Sequence, residues 1–534
     1  MRINPHFPSL LAFVFLCLFL SSGIAQHGHH GGLPKTFHDS IPLYPEALGP
    51  LTWEVSTENS LAQDYFNQGV QLKYAFAVTE AARSFREARK LDPECVACYW
   101  GEAWALGSYL NEPMSEAKAP LALEAAQAAK KLAKKHGSEL EKALVAAIQP
   151  RYIKDYDPES RALQDTAYAR AMEKVYQQYP DHHEIATVYA EALFLLEPRR
   201  GTRDVADPDV IRLHKILEKV LDEDIEHPGA CHLYIHATES SQKPELAATC
   251  ADYLGSAIPG ASHINHMPSH TWNEIGNWAG SVRANLQAWQ SDEKAKSGQG
   301  IAIYPAHNLH MLLFAACYDG QGAIAMQAAK DYAKRTENCM YEVLTAIRFG
   351  RFDEVMAHEE RPERTISGAM WDFAKGYAHL KSGEADFAKV YLQRVLTTAD
   401  TSEAEFRMHP ARHILGVLGG ILEGEIHWME DEKEKAFAAY ERAVMIEDSM
   451  EYDEPEPIPF AARHWLGAAQ MDMEQYEEAV QTYEEELADH PKNGWSLYGL
   501  REALKASGKD SEEVDERFQQ AWARADHWIY ASKY

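Results

Sequence analysis

The sequence predicts an all-α protein of stacked antiparallel helix pairs, and three observations predict it. Small and aromatic residues recur in one order along most of the chain. In FAARHWLGAAQMDMEQYEEAVQTYEEELADHP, Trp465 and Gly467 precede Tyr476, Ala479 and Tyr483, and Pro491 closes the unit. No segment shows a convincing strand alternation. Two histidine pairs, His232/His266 and His236/His270, each sit 34 residues apart, as an internal repeat would place them. In such a unit glycine and small residues let two helices approach, larger side chains fill the gap, and proline opens the next unit.

From the N-terminus, residues 1–25 read as an export signal. Arg2 gives a positive start, Leu10 to Leu20 an apolar run, and Gly23-Ile24-Ala25 a small-residue cleavage site. Cys17 inside the apolar run is a poor lipoprotein signal. No later stretch has the length and hydrophobicity of a membrane span, so the expectation is export to the periplasm or beyond, without membrane insertion after cleavage. Residues 26–50 begin polar and glycine-rich with no periodicity, and are expected to form a disordered leader. Its His27, His29 and His30 offer weak capture of copper, nickel or zinc. Residues 51–300 then form the first part of the array, with a histidine-rich groove, and 301–534 the remaining repeats. Breaks at 198–207 (PRRGTRDVAD), 291–300 (SDEKAKSGQG) and 451–459 (EYDEPEPIP) read as loops or insertions between helix pairs.

Six cysteines would remain after cleavage: Cys95, Cys98, Cys231, Cys250, Cys317 and Cys339. Tyr99 follows Cys95-Val-Ala-Cys98 where a c-type haem site needs histidine, so a short-loop disulfide is the expected state. Cys231 and Cys250 fall on successive predicted helices and could bridge them. The formal net charge is −29, from 81 acidic against 52 basic residues. So acidic a surface repels phosphate backbones and anionic lipid, and tolerates cations; nucleic acid is not an expected partner.

Further copies of the repeat pattern are Gly69, Ala81, Phe85, Ala88 and Pro93 near the start, and Gly424, Ala436, Tyr440 and Ala443 before the clearest copy. Looser ones are Gly376, Gly383, Ala388 and Leu392, and Trp495, Gly499, Phe518 and Ala521. On these residues the chain resembles the tetratricopeptide repeat (TPR) family over most of residues 55–530. The resemblance implies a right-handed superhelix whose first helices line a concave groove, and a period of 34, the histidine spacing. The motifs Cys95-Val-Ala-Cys98-Tyr99-Trp100-Gly101, His227 to His236 (HPGACHLYIH), His266-Met267-Pro268-Ser269-His270 and Tyr304-Pro305-Ala306-His307-Asn308 are more specific than TPR alone. They resemble an exported bacterial type of TPR protein, to which no established reaction attaches.

Helix geometry groups the histidines independently. His232 and His236 are i, i+4 with Glu239 three further on; His263, His266 and His270 are i, i+3, i+7; His307 and His310 are i, i+3 on the next first helix. Neighbouring helices pack about 8–10 Å apart, so imidazoles from two or three of them can share metal. Histidine ligation without evident cysteine favours copper, with zinc or iron as alternatives. Glu239 is a candidate ligand, orienter or general base; Tyr304 and Asn308 border the third pair and could orient ligands or substrate. The same positions would also suit a peptide or small molecule held by hydrogen bonds. No phosphate loop, nucleophile elbow or His-Glu-x-x-His is present, and Ser269 beside His270 makes no triad. Tyr99, Trp100 and Trp104 are expected to pack the array. Three functions are therefore open: a metal-dependent oxidoreductase or hydrolase acting on a small molecule or peptide, an interaction scaffold for a peptide or protein partner, and metal storage or delivery.

Overall fold

The computed structural model describes residues 32–198 and 201–534. The export signal, the histidines His27, His29 and His30, and Arg199 and Arg200 of the first break lie outside the described residues. The chain is an all-α, TPR-like solenoid. Each helix packs chiefly on its sequence neighbours: Ser60–Tyr74 on Val78–Leu91, that helix on Val96–Leu106, and so on to Gly494–Ala506 against Glu512–Ala521. Extended pairing is confined, among the described residues, to a hairpin of Glu405–Phe406 with His409–Pro410 and three isolated bridges.

The small residues of the repeat do what their chemistry allows. A Cβ at Gly69 would lie 2.6 Å from the Phe85 ring and one at Gly101 2.5 Å from it, so one aromatic ring fills the notch of two successive first helices. Tyr483 sits in the same way between Gly467 and Gly499, and Tyr440 against Gly424. Trp100 and Trp104 are buried and stacked on each other in the core, as expected.

Two large apolar clusters run through the array, from Phe37 to Ile303 and from Trp278 to Trp495, with a small third at Ala479, Tyr483, Leu500 and Ala503. The superhelix brings its late repeats back onto its middle. Trp278 Nε1 donates to Pro491 O (3.0 Å), Trp495 Nε1 donates to Cys317 O (2.8 Å), and Tyr318 stacks on His490. The chain end returns as well: the Asp526 carboxylate accepts from Gly322 N (2.6 Å) and Ala323 N (2.9 Å), at the start of Gly322–Thr336.

Residues 33–50 are a correction to the disordered leader. Phe37 and Ile41 are buried, Tyr65 donates to Ile41 O (2.9 Å), Gln68 donates to Pro42 O (3.0 Å), and Gly260 N donates to Ala47 O (2.8 Å). A few apolar anchors, with glutamine side chains serving the backbone, order a segment that has no period to read. Cys95 and Cys98 form the expected disulfide. The sulfurs of Cys231 and Cys250 face each other at 2.6 Å. No helix among the described residues is long and apolar enough to cross a membrane.

Candidate metal centre

Three helix starts build the centre. Helix Pro228–Thr238 opens with Pro at its first turn, and the His227 ring accepts from Ala230 N (3.0 Å). It carries His232 and His236. The next stretch is two short helices, Ser262–His266 and Pro268–Glu274, because Pro268 offers no N–H to continue the first. Met267 keeps helical dihedrals, so His263, His266 and His270 still share a stripe. Helix Pro305–Tyr318 supplies His307, just after Tyr304 at φ 54°. His232, His236, His263, His266, His270 and His307 are 0–3% exposed.

The six rings form two trios whose ligand atoms gather within 4.8 Å: His232, His236 and His263, then His266, His270 and His307. In the second trio the Nε2 atoms converge, His266 to His270 at 2.8 Å and His307 to His266 at 3.2 Å. Tetrahedral ligation at the usual 2.0–2.1 Å would separate such nitrogens by about 3.3 Å. The opposite nitrogens of His266 and His270 are engaged. His270 Nδ1 donates to Glu239 Oε2 (2.5 Å) and His266 Nδ1 donates to Asn285 Oδ1 (2.8 Å). Asn285 Nδ2 donates to Ser281 O (2.9 Å), which fixes the amide with its oxygen toward the ring.

In the first trio His232 Nδ1 donates to Tyr74 O (2.5 Å) and His236 Nδ1 donates to Glu239 Oε1 (2.9 Å). Phe76, itself at φ 60°, lies against all three rings, 4.2 Å from His232 between centroids. His232 Nε2 and both nitrogens of His263 are buried with no hydrogen-bond partner among the described residues. Each unmade bond of this kind costs about 1–3 kcal/mol, so the polar edges face one another at a penalty that an ion would remove.

Glu239 therefore holds one imidazole of each trio, one per oxygen. Burial works to raise its pKa, but His236 and His270 outweigh that and hold the carboxyl well below the usual range. Burial, followed by the neighbouring rings, pushes His232, His263 and His266 well below the ordinary histidine value. These imidazoles are neutral at neutral pH, the form that ligates metal.

Several expectations change. The histidines do not line an open groove: Phe76 covers one trio, and the second meets Glu454 from the 451–459 segment, whose charge reaches His266. His310 stands apart and stacks on Tyr341 (4.1 Å between centroids), because a step of three residues turns it about 60° from His307. Asn308 donates to Asp292 Oδ2 (3.0 Å) and Ile303 O (3.1 Å), and so serves the helix start. Ser269 donates to His266 O. Glu239 has both oxygens taken by imidazoles and acts through them. Tyr304, expected beside His307 and His310, lies against the first trio, its ring 5.2 Å from His263 and its hydroxyl 2.5 Å from that of Tyr109.

No protein-family model and no curated protein matches the chain. Solved structures of helical-repeat proteins do. The human IFIT1 dimer with m7Gppp-AAAA is 12% identical, with 90% of this chain and 98% of that one covered, at a TM-score of 0.31. Yeast Tom70 is 12% identical over 86% and 91%, at 0.28. The TPR domain of P58(IPK) is 12% identical over 84% and 98%, at 0.21. At these scores the likeness decides nothing about the site.

Sequence reasoning missed Asn285, Tyr74 O, Phe76 and the 451–459 segment. Asn285 lies one helix beyond its histidine with no spacing rule to find it. The segment carries a signal, an acidic run with three prolines, which reads in the sequence as a loop or insertion between helix pairs. It lines a crevice that reaches His270 together with Asn273, Glu274, Trp278, Phe314 and His490. A second depression, with Phe76, Tyr109, Glu112, Lys118 and Tyr304, abuts the first trio.

Proposed function

We propose that the chain is an exported TPR-like solenoid that holds a transition metal on histidine, copper first with zinc or iron as alternatives, and uses it on a small molecule as an oxidoreductase or hydrolase. The observation that carries this reading is the facing pair of His266 Nε2 and His270 Nε2 at 2.8 Å, with the Nδ1 proton of each ring committed elsewhere. Two neutral imidazoles in that tautomer turn lone pair against lone pair. A positive charge between them relieves the contact, and burial holds His266 itself well below its ordinary pKa. A metal cation supplies the positive charge without that conflict.

Imidazole nitrogen without thiolate suits copper, zinc and iron. When bound, such a metal supplies a Lewis acid, and copper or iron also a one-electron couple. The chain's own groups do the rest. Glu239 sets the ring orientation and tautomer of His236 and His270, and Asn285 those of His266. Phe76 keeps water from the first trio, and the crevice at His270 gives a small molecule a way in. Burial of all six rings weighs against a peptide clamp, which needs exposed rings that charge readily.

The test is metal content. The mature chain, purified without a histidine tag from cells supplied with copper, zinc and iron, is expected to carry stoichiometric transition metal by mass spectrometry. Metal-free protein that also takes up none of the three on addition overturns the reading.

A further inference from the structure

The crevice beside His270 has a chemistry of its own. Its lining combines the carboxyl groups of Glu274, Glu454, Glu456 and Asp489 with the aromatic rings of Trp278 and Phe314. The cations around it are outnumbered. Arg407 is engaged by Asp453, with both hydrogen bonds at 2.6 Å. Arg463 pairs with Asp448 at 2.6 Å and stands 3.6 Å from both Glu485 and Asp489. His490 lies between Glu456 (3.3 Å) and Glu486 (2.8 Å). Among the described residues, no lysine or arginine lines the crevice.

An acidic cluster alone is no site, but Asn273 adds a second, independent sign. It is 8% exposed, it lines the crevice, and its Oδ1 has no hydrogen-bond partner among the described residues. Its amide nitrogen is turned instead to Met311 Sδ (3.7 Å). A buried carbonyl oxygen left without a donor calls for one, N–H or O–H, from outside the chain. Glu274 tells the same story: burial first, then the charge of Glu456, raise its carboxyl to about 8, so it keeps a proton where no cation is present.

We propose that this crevice receives a small organic cation, a primary ammonium compound with an apolar body, and presents it to the His266–His270–His307 trio as substrate. The carboxylates and Asn273 Oδ1 take the N–H groups, and Trp278 and Phe314 take the apolar body and the cation's charge over their faces. A hydrated metal ion has no use for the two aromatic rings, which is why the organic cation is the better fit. The word substrate rests on the metal reading above; the cation site itself does not.

Calorimetric titration of the full chain, once metal-loaded and once stripped by chelation, tests the proposal with benzylammonium, benzyl alcohol and benzoate as probes. Benzylammonium is expected to bind the stripped protein at least about tenfold tighter than benzyl alcohol, with no binding of benzoate, since tenfold is the scale of one lost ionic hydrogen bond. Glu456→Gln, at a half-exposed position, is expected to weaken benzylammonium by about tenfold and leave benzyl alcohol unchanged, and Glu274→Gln to do the same to a smaller degree. Equal affinity for benzylammonium and benzyl alcohol overturns the proposal. So does no binding of benzylammonium, or its displacement by calcium at equal concentration. Metal analysis of the same samples separates the two readings. Protein without metal that prefers benzylammonium keeps the cation site and overturns the metal centre; metal-replete protein that ignores the probe does the reverse.

Discussion

The His232–His236–His263 trio and the His266–His270–His307 trio share a plan: an i, i+4 pair on one stretch of helix and a third ring from a later one. Around that plan the two halves diverge. The first trio lies under Phe76, and several of its nitrogens face each other without bonds. The second is drawn together at 2.8 and 3.2 Å and borders a crevice. One repeat, copied at an interval of 34 residues, thus supplies two sets of rings in different surroundings.

The comparison breaks most sharply at the ligands. His266→Ala with His270→Ala is expected to abolish metal in the second half and spare the first, and His232→Ala with His236→Ala the reverse, by metal analysis and X-ray absorption. If either double variant loses all metal, the halves are one site. Glu239→Gln comes next, with a loss of about 10- to 100-fold in metal affinity in both halves, because one carboxylate orients a ring of each. Asn285→Ala is expected to cost about tenfold in the second half alone. Competition with a coloured chelator reads both. Phe76→Ala is a weaker lever, under about tenfold and confined to the first half.

The smallest effect is one of pH on the metal-free protein. Glu274 has its folded pKa raised from 4.5 to about 8, by burial and then by Glu456. A raised carboxyl stabilises fully below its unfolded value, and that contribution is lost as pH rises through about 8. Between pH 5 and 8 the melting temperature is expected to fall by about 1–2 °C more than in Glu274→Gln, whose amide stays neutral. Parallel melting curves would show that the crevice stores no such strain.

The helix pairs were legible because their cause is local and repeated. Gly69 with Phe85 and Gly467 with Tyr483 are contacts between helices adjacent in sequence, so their spacing survives in the string. The histidine stripes were legible for the same reason. What failed to show depends on distant chain: Asn285, Phe76 and the 451–459 segment reach the centre only through the turn of the superhelix, and no period encodes that. His310 misled because i, i+3 is a neighbour on a helix and yet points about 60° away. The 33–50 segment misled because its order comes from partners such as Gln68 and Ala47–Gly260.

The return of the late repeats sets a schedule. Histidines between 232 and 307 are translated long before Glu454, Glu456 and Pro491, which close over them and meet Trp278. Contacts across some two hundred residues form late and slowly, because the loop between them must first be ordered. Until then the second trio stands open to whatever ions its compartment offers, and afterwards only the crevice remains. On the proposed metal reading, which metal the finished protein keeps is decided during folding, by supply in that interval, as much as by the affinities of the completed pocket.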